Sequence, residues 1–186
     1  MKGLAHALVL AFVAALAACQ SRTPDEALIL AARGNDVAQV EELLAAGADP
    51  NADAVPRYEG RPALFHAATF GYVEVAQALI DRGANVDYAD PSGLTPLMVA
   101  SLNGPPAMVE LLLSKGASVD VRAGGATPIT EATRKGDPLV LRALLDAGAD
   151  PNAPMPDGSA PVCYAMAHDF EEAAAVIRQA GGGDDC

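Results

Sequence analysis

The chain has 186 residues and a mass of 18.9 kDa, a length that allows one compact domain or one short repeat array and excludes two large domains. Its 40 alanines, with no Trp, four Phe and four Tyr, favour helices and argue against an all-β fold, because Ala is the best helix former and is depleted in strands. The formal net charge of −12 has the wrong sign for binding along a phosphate backbone, so we do not expect nucleic acid as a partner.

The N-terminal segment has the pattern of a secretory signal. Lys2 precedes a mostly apolar stretch from Leu4 to Ala15, as in the basic and hydrophobic regions of signal peptides. This stretch is shorter than the ~20 apolar residues that a membrane-spanning helix needs. It is followed by Leu16-Ala17-Ala18-Cys19, which resembles the lipobox of bacterial lipoproteins.

The lipobox resemblance implies removal of residues 1–18, lipidation of Cys19 and a short tether over residues 19–24. Gln20 follows the cysteine where the family's inner-membrane retention signal usually has Asp. The resemblance therefore implies an outer-membrane lipoprotein that faces the periplasm, anchored through its acyl chains. The alternative is an ordinary signal peptide cleaved near Ala17 or Ala18, which would leave a soluble periplasmic or secreted protein.

The rest of the chain contains an internal repeat. Gly-Ala pairs recur at spacings of 36, 33 and 32, and a Gly-Gly pair follows after 33 more residues. The pairs are Gly47-Ala48, Gly83-Ala84, Gly116-Ala117, Gly148-Ala149 and Gly181-Gly182. Each follows an apolar run, as at the C-terminal end of a helix. Thr95-Pro96 and Thr127-Pro128 are typical of helix starts, so each unit is predicted to be a turn and two helices.

A 33-residue period with Thr-Pro-Leu, two antiparallel helices and a closing Gly-Ala resembles the ankyrin repeat. The resemblance spans residues 25–183 and implies an all-α ankyrin repeat solenoid, a monomeric array of about five helix-turn-helix repeats with β-hairpin or turn loops. The repeats are 25–51, 52–87, 88–120, 121–152 and 153–183, followed by an acidic tail at 184–186. Phe65, Met98, Thr130 and Cys163 stand where the family usually has histidine, so we expect apolar packing in place of its hydrogen bonds.

The resemblance implies that hairpin tips and the ends of the inner helices form a concave face that binds another protein. The candidate contact residues are Tyr58, Arg61, Phe70, Leu102, Asn103, Arg134, Lys135 and His168. Aromatic and arginine side chains are the usual anchors of interfaces. The alternatives are that Phe70 and Leu102 pack into the next repeat and that Arg134 is a solvated charge. Loop 52–61, three residues longer than the others, is either a contact element or a tolerated insertion.

No catalytic, metal-binding or cofactor-binding motif accompanies the repeats, so we expect neither an enzyme nor a cofactor. His66 and His168 lie in different repeats, outside any triad or metal pattern. If Cys19 carries lipid, Cys163 and Cys186 remain as a pair in an oxidising compartment. They are predicted either to form a disulfide that fixes the C-terminal cap or to remain two separate thiols.

The sequence therefore predicts a non-catalytic interaction module that binds a periplasmic or envelope protein. Its negative charge would speed encounter with a basic partner, or would simply keep the protein soluble. A sharper alternative is an immunity or inhibitor lipoprotein that occludes a periplasmic toxin or enzyme. A structural envelope protein, or a small-ligand binder or enzyme that uses His168 and Cys163, are the competing classes.

Overall fold

The computed structural model describes residues 23–53, 60–183 and 186. These residues contain ten α-helices, and their only extended pairing is an isolated bridge between Ala123 and Ala126. The helices are α1 Pro24–Arg33, α2 Val37–Ala45, α3 Ala63–Phe70, α4 Val73–Asp81, α5 Pro96–Asn103, α6 Pro106–Ser114, α7 Pro128–Lys135, α8 Pro138–Asp146, α9 Pro161–Ala167 and α10 Glu171–Gln179. The predicted all-α repeat solenoid is confirmed. None of these helices is long and apolar enough to cross a membrane.

The helices stack as five antiparallel pairs in two layers. The odd-numbered helices contact one another in chain order and form the inner layer, and the even-numbered helices form the outer layer. The inner helices carry consecutive small residues, such as Ala67 and Ala68, that are fully buried. Because these side chains are small, the stacked helices approach closely, and Leu and Val side chains of the outer helices complete one continuous core.

The two Thr-Pro pairs begin α5 and α7 as their pattern predicts. Thr95 and Thr127 are the N-cap residues, and a proline follows at the first helical position. The Thr127 backbone N–H donates to Thr130 Oγ1 at 2.8 Å, and the Thr127 hydroxyl accepts from the Thr130 N–H. This reciprocal capping box satisfies two backbone donors that the helix itself leaves unpaired.

The four positions that lack the family's usual histidine are filled in different ways. Phe65 and Met98 are buried at 2% and 0% exposure, so apolar packing replaces the histidine there. Thr130 instead hydrogen-bonds within its capping box, and Cys163 is bonded to Cys186. The expectation of apolar substitution therefore holds at two positions and is wrong at the other two.

In four of the five helix pairs, the connecting residue is held in the left-handed region. Its φ is +57° at Asn35, +74° at Gly71, +72° at Gly136 and +60° at Asp169, and glycine, Asn and Asp are the residues that adopt this region most readily. The third pair differs, because Gly104 has a φ of −82° and a ψ of 164°. Pro105 follows Gly104, and a residue before proline is disfavoured in helical conformations.

A ladder of side-chain hydrogen bonds links the turns that follow the outer helices. The carboxylates of Asp25 and Asp87 accept from the backbone N–H groups of Asp49 (2.9 Å) and Ser118 (2.8 Å). The Asn51 amide donates to Gly83 O (2.9 Å) and accepts from the Asn85 N–H (2.7 Å). The Asn152 amide likewise donates to Gly181 O (3.3 Å) and accepts from the Gly183 N–H (2.8 Å). Asp120 holds the equivalent place in the third turn but makes no such bond within the described residues. A cavity of about 160 Å³, lined in part by Asp120 and Asp150, lies at this gap.

The C-terminal segment covers the end of the array. Cys186 is joined to Cys163 of α9 by a disulfide. Gly182 lies so close to Val162 and Ile177 that a Cβ on it would stand 2.5 Å from Ile177 Cγ2. The described residues after α10 therefore help to bury Val162 and Ile177, which are both fully buried.

Candidate functional site

The predicted contact residues on the inner helices form one row. Phe70 ends α3, Asn103 ends α5, Lys135 ends α7 and His168 follows α9. Since these helices stack side by side, equivalent positions lie next to one another along the array. We call the surface formed by this row, together with Leu102 and Arg134, the inner face.

Phe70 is the large exposed apolar side chain at the N-terminal half of the inner face. It is 49% exposed, and its ring stacks against Tyr72 with a centroid distance of 5.7 Å. Leu102 is half-buried and Asn103 is exposed. Phe70 is thus held in place by one neighbouring ring while about half of its surface remains in solvent, so the alternative in which it packs fully into the next repeat does not describe its position.

Arg134 is fixed by a buried partner on its own helix. Its Nη1 donates to both carboxylate oxygens of Glu131, at 2.9 and 3.2 Å, and the side chains are 46% and 8% exposed respectively. The ion pair compensates the burial of the Glu131 charge. Nη2 and Nε of Arg134 make no hydrogen bond within the described residues. They remain donors, so Arg134 is an oriented cation rather than a freely solvated one.

His168 belongs to a column of stacked rings at the C-terminal end of the inner face. Its ring lies 4.1 Å from that of Tyr164 and 6.1 Å from that of Phe170, centroid to centroid. Nδ1 of His168 is 2.9 Å from the Tyr164 carbonyl oxygen. His168 is exposed, and the neighbouring Lys135 is exposed and forms no ion pair within the described residues.

A pocket of about 250 Å³ opens between these groups and the last hairpin. Its walls are Arg134, Met155, Pro156, Asp157 and Tyr164. The Asp157 carboxylate accepts from the Ser159 hydroxyl at 2.6 Å and from the Ser159 N–H at 2.9 Å. These bonds lower its pKa below the ordinary value. The pocket therefore has an apolar floor, unfilled donors on one side and a carboxylate with local partners on the other.

Arg61 serves mainly to connect two hairpins. Its guanidinium donates to Asp90 at 2.9 Å, and the two side chains are 30% and 1% exposed; it also lies 4.9 Å above the Phe65 ring. Burial raises the pKa of Asp90, but hydrogen bonds from Ser92, Arg61 and two backbone N–H groups outweigh this effect and lower it overall. Less than a third of the Arg61 side-chain surface is therefore exposed for a partner to contact.

His66 faces two arginines. Burial and, to a smaller extent, the charges of Arg33 and Arg61 together lower its pKa from 6.5 to about 4, against a backbone hydrogen bond with Arg61 that raises it. His66 is therefore neutral at pH 7. Among the described residues, no group of three or more His, Cys, Asp and Glu side chains could hold a metal ion.

Two predicted residues, Tyr58 and Cys19, lie outside the described residues. Sequence reasoning also missed two exposed apolar side chains, Met166 at 50% and Leu139 at 63% exposure. Met166 takes the place of the second small residue in an inner-helix pair, and the described residues include no further helix pair beside α9 that would cover its side chain. The sequence signal for this exposed side chain was a large residue at a position where the other inner helices have a small one.

Comparison with known proteins identifies the repeat. A model of "Ankyrin repeats (3 copies)" matches residues 28–123, and an "Ankyrin repeat" model matches residues 124–155. The chain is 30% identical over 151 residues to ankyrin repeat and SAM domain-containing protein 6 of Danio rerio, covering 64% of this chain and 20% of that protein. It is 36% identical over 159 residues to the E3 ubiquitin-protein ligase KEG of Arabidopsis thaliana, covering 83% of this chain and 9% of that protein.

A smaller relative is covered more fully. Cyclin-dependent kinase 4 inhibitor B of Rattus norvegicus is 39% identical over 98 residues, covering 52% of this chain and 72% of that protein. By contrast, the chain spans one fifth or less of the two larger relatives. The similarity to those two is therefore a similarity to their repeat segments.

Proposed function

Since the chain belongs to the ankyrin-repeat family, a family of protein-interaction modules, we propose that it binds a cell-envelope protein through its inner face and acts without catalysis. The observation that carries this proposal is the row of side chains at the ends of the inner helices. Phe70 is 49% exposed yet held by Tyr72, and Arg134 is oriented by Glu131. Side chains that are ordered before binding lose less entropy when a partner covers them.

We further propose that binding works by occlusion of the partner. The rat relative is named as an inhibitor of a cyclin-dependent kinase, which supports a role in which an ankyrin array blocks another protein by covering it. For this chain the partner would be an enzyme or toxin of the periplasm or envelope.

The envelope location is proposed from the sequence of the first 19 residues. Lipidation of Cys19 would tether the array to the outer membrane, so that it meets its partners in the periplasm. Full-length protein expressed in a bacterial host should be released from the membrane by detergent and not by high salt. In cells fed labelled palmitate, the parent should incorporate the label and the Cys19→Ser variant should not. If the parent is unlabelled, or if both proteins are labelled alike, the lipid anchor is refuted.

Affinity capture from bacterial envelope extract tests the binding proposal. The bait is the protein itself, beside a variant carrying Phe70→Ala, Leu102→Ala and Arg134→Ala. The expected result is a partner retained by the parent and lost by the variant, identified by mass spectrometry. Circular dichroism must first show that the variant is folded.

A matched control places substitutions on the outer helices. Leu139 is 63% exposed and Arg142 is exposed, so Leu139→Ala with Arg142→Ala removes a similar kind of surface from the opposite layer. This control should retain the partner. Loss of the partner with the control and retention with the inner-face variant would refute the proposed site.

A further inference from the structure

The pocket beside Arg134 has the chemistry of a selective subsite. We propose that it receives one large apolar side chain of an extended partner segment, and that an Asp or Glu adjacent to this side chain in the partner binds Arg134 and Lys135. This inference rests on the proposed function and adds to it the kind of sequence that the inner face selects.

The volume and walls of the pocket suit a single apolar side chain. Its volume of about 250 Å³ is below the ~300 Å³ at which pockets for small-molecule ligands begin. Met155 is 3% exposed and supplies the floor, and the Tyr164 ring is fixed in its stack with His168 at 4.1 Å. A rigid aromatic wall with an apolar floor gains binding energy mainly from burying apolar surface.

The basic groups beside the pocket have donors that no acceptor of the described residues fills. Both Glu131 oxygens accept from Arg134, and Asp157 accepts both bonds from Ser159 through one oxygen, Oδ1. Nη2 and Nε of Arg134 and the ammonium group of Lys135, by contrast, have no hydrogen-bond partner within the described residues. A carboxylate of the partner satisfies such donors through charge-assisted hydrogen bonds.

The charge of the outer helices directs an acidic segment to the inner face. The outer helices carry eight acidic side chains and two basic ones among the described residues. They are Glu41, Glu42, Glu74, Asp81, Glu110, Asp146, Glu171 and Glu172, with Arg142 and Arg178. Like charges repel an acidic segment from that layer, and the exposed, adjacent cations Arg134 and Lys135 attract it to the inner face beside the pocket. A partner that is basic as a whole is still attracted over long range by the net charge of −12.

Selection from a random peptide library displayed on phage tests this inference, with the purified protein as bait. Enriched peptides are expected to share a large apolar residue next to Asp or Glu. A synthetic peptide of the enriched sequence should lose about fivefold in affinity or more with Tyr164→Ala, since truncation of an interface anchor costs at least ~1 kcal/mol. Lys135→Glu should weaken it similarly, and this change leaves the Glu131 ion pair intact.

The outer-face variant Arg142→Glu is the matched control for the charge change, and it should bind the peptide as the parent does. Enrichment of basic or purely apolar peptides would overturn the inference. So would a peptide whose affinity is unchanged by both Tyr164→Ala and Lys135→Glu in folded protein. If envelope capture depends on the inner face while the library yields no acidic motif, this inference fails and the proposed function stands. If the parent captures no partner and enriches no peptide, both fail.

Discussion

Mild acid should destabilise the array through His66. Burial and the charges of Arg33 and Arg61 lower the pKa of His66 from 6.5 to about 4. The unfolded chain therefore binds a proton in a pH range where the folded protein does not. Titration of His66 therefore leaves the free energy of unfolding unchanged above about pH 6.5 and lowers it as the pH falls from there towards about 4.

The size of this effect follows from the shift. One pKa unit corresponds to ~1.36 kcal/mol, so proton linkage assigns just under ~2 kcal/mol of lost stability to the fall from about pH 7 to about pH 5. His66 is only partly buried, and solvent screening reduces this figure to about 1 kcal/mol. Carboxylates titrate mostly below this window, which isolates the histidine contribution.

The assay is urea unfolding at several pH values between about 7 and 5, followed by circular dichroism. The parent should lose about 1 kcal/mol over this range, whereas His66→Gln should lose much less because it cannot titrate. Arg33→Gln should raise the pKa of His66, measured by NMR titration of its ring proton. The reasoning is refuted if the ring titrates near 6.5, or if His66→Gln and the parent show the same pH dependence.

Three further predictions concern the connections between repeats. Gly136→Ala should destabilise the protein by ~1 kcal/mol or more beyond Gly148→Ala in chemical denaturation. Both glycines have positive φ, but only a Cβ at Gly136 would clash with the Phe170 ring, at 2.5 Å. Equal losses of stability in the two variants would contradict the clash. Asn51→Ala removes two bonds between turns and should cost roughly 1–2 kcal/mol; a stability unchanged in urea would show that the ladder contributes nothing. Cys186→Ser should cost roughly 3 kcal/mol by the loop-closure model, and a thiol reductant should lower the parent's melting temperature to that of this variant; a parent unaffected by the reductant would contradict this.

The repeat architecture was predictable because short sequence patterns that mark helix starts and ends recur along the chain. A Gly-Ala pair after each apolar run and two Thr-Pro pairs specify where helices end and begin, and neighbouring copies reinforce one another. The stacking into two layers follows, because each helix pair can bury its apolar face only against the next.

The chemistry of the inner face was less predictable because it depends on side chains brought together by stacking. Arg61 pairs with Asp90, 29 residues away, and no short sequence pattern predicts that pair. Glu131 looks like a surface glutamate in the sequence but is 6% exposed and pairs with Arg134. The pocket joins residues of α7 and α9 with a hairpin between them, so its existence depends on the register of two repeats.

The ladder of side-chain hydrogen bonds has a gap at Asp120. Helices α5 and α7 still pack against each other there, yet no ladder bond among the described residues joins the turns beside them, and Asp120 and Asp150 line a cavity of about 160 Å³. We therefore expect the array to bend more easily between its third and fourth repeats than at the other repeat junctions. Such bending would change the distance between Phe70 in the second repeat and the pocket beside Arg134, which is the dimension that a rigid partner would select.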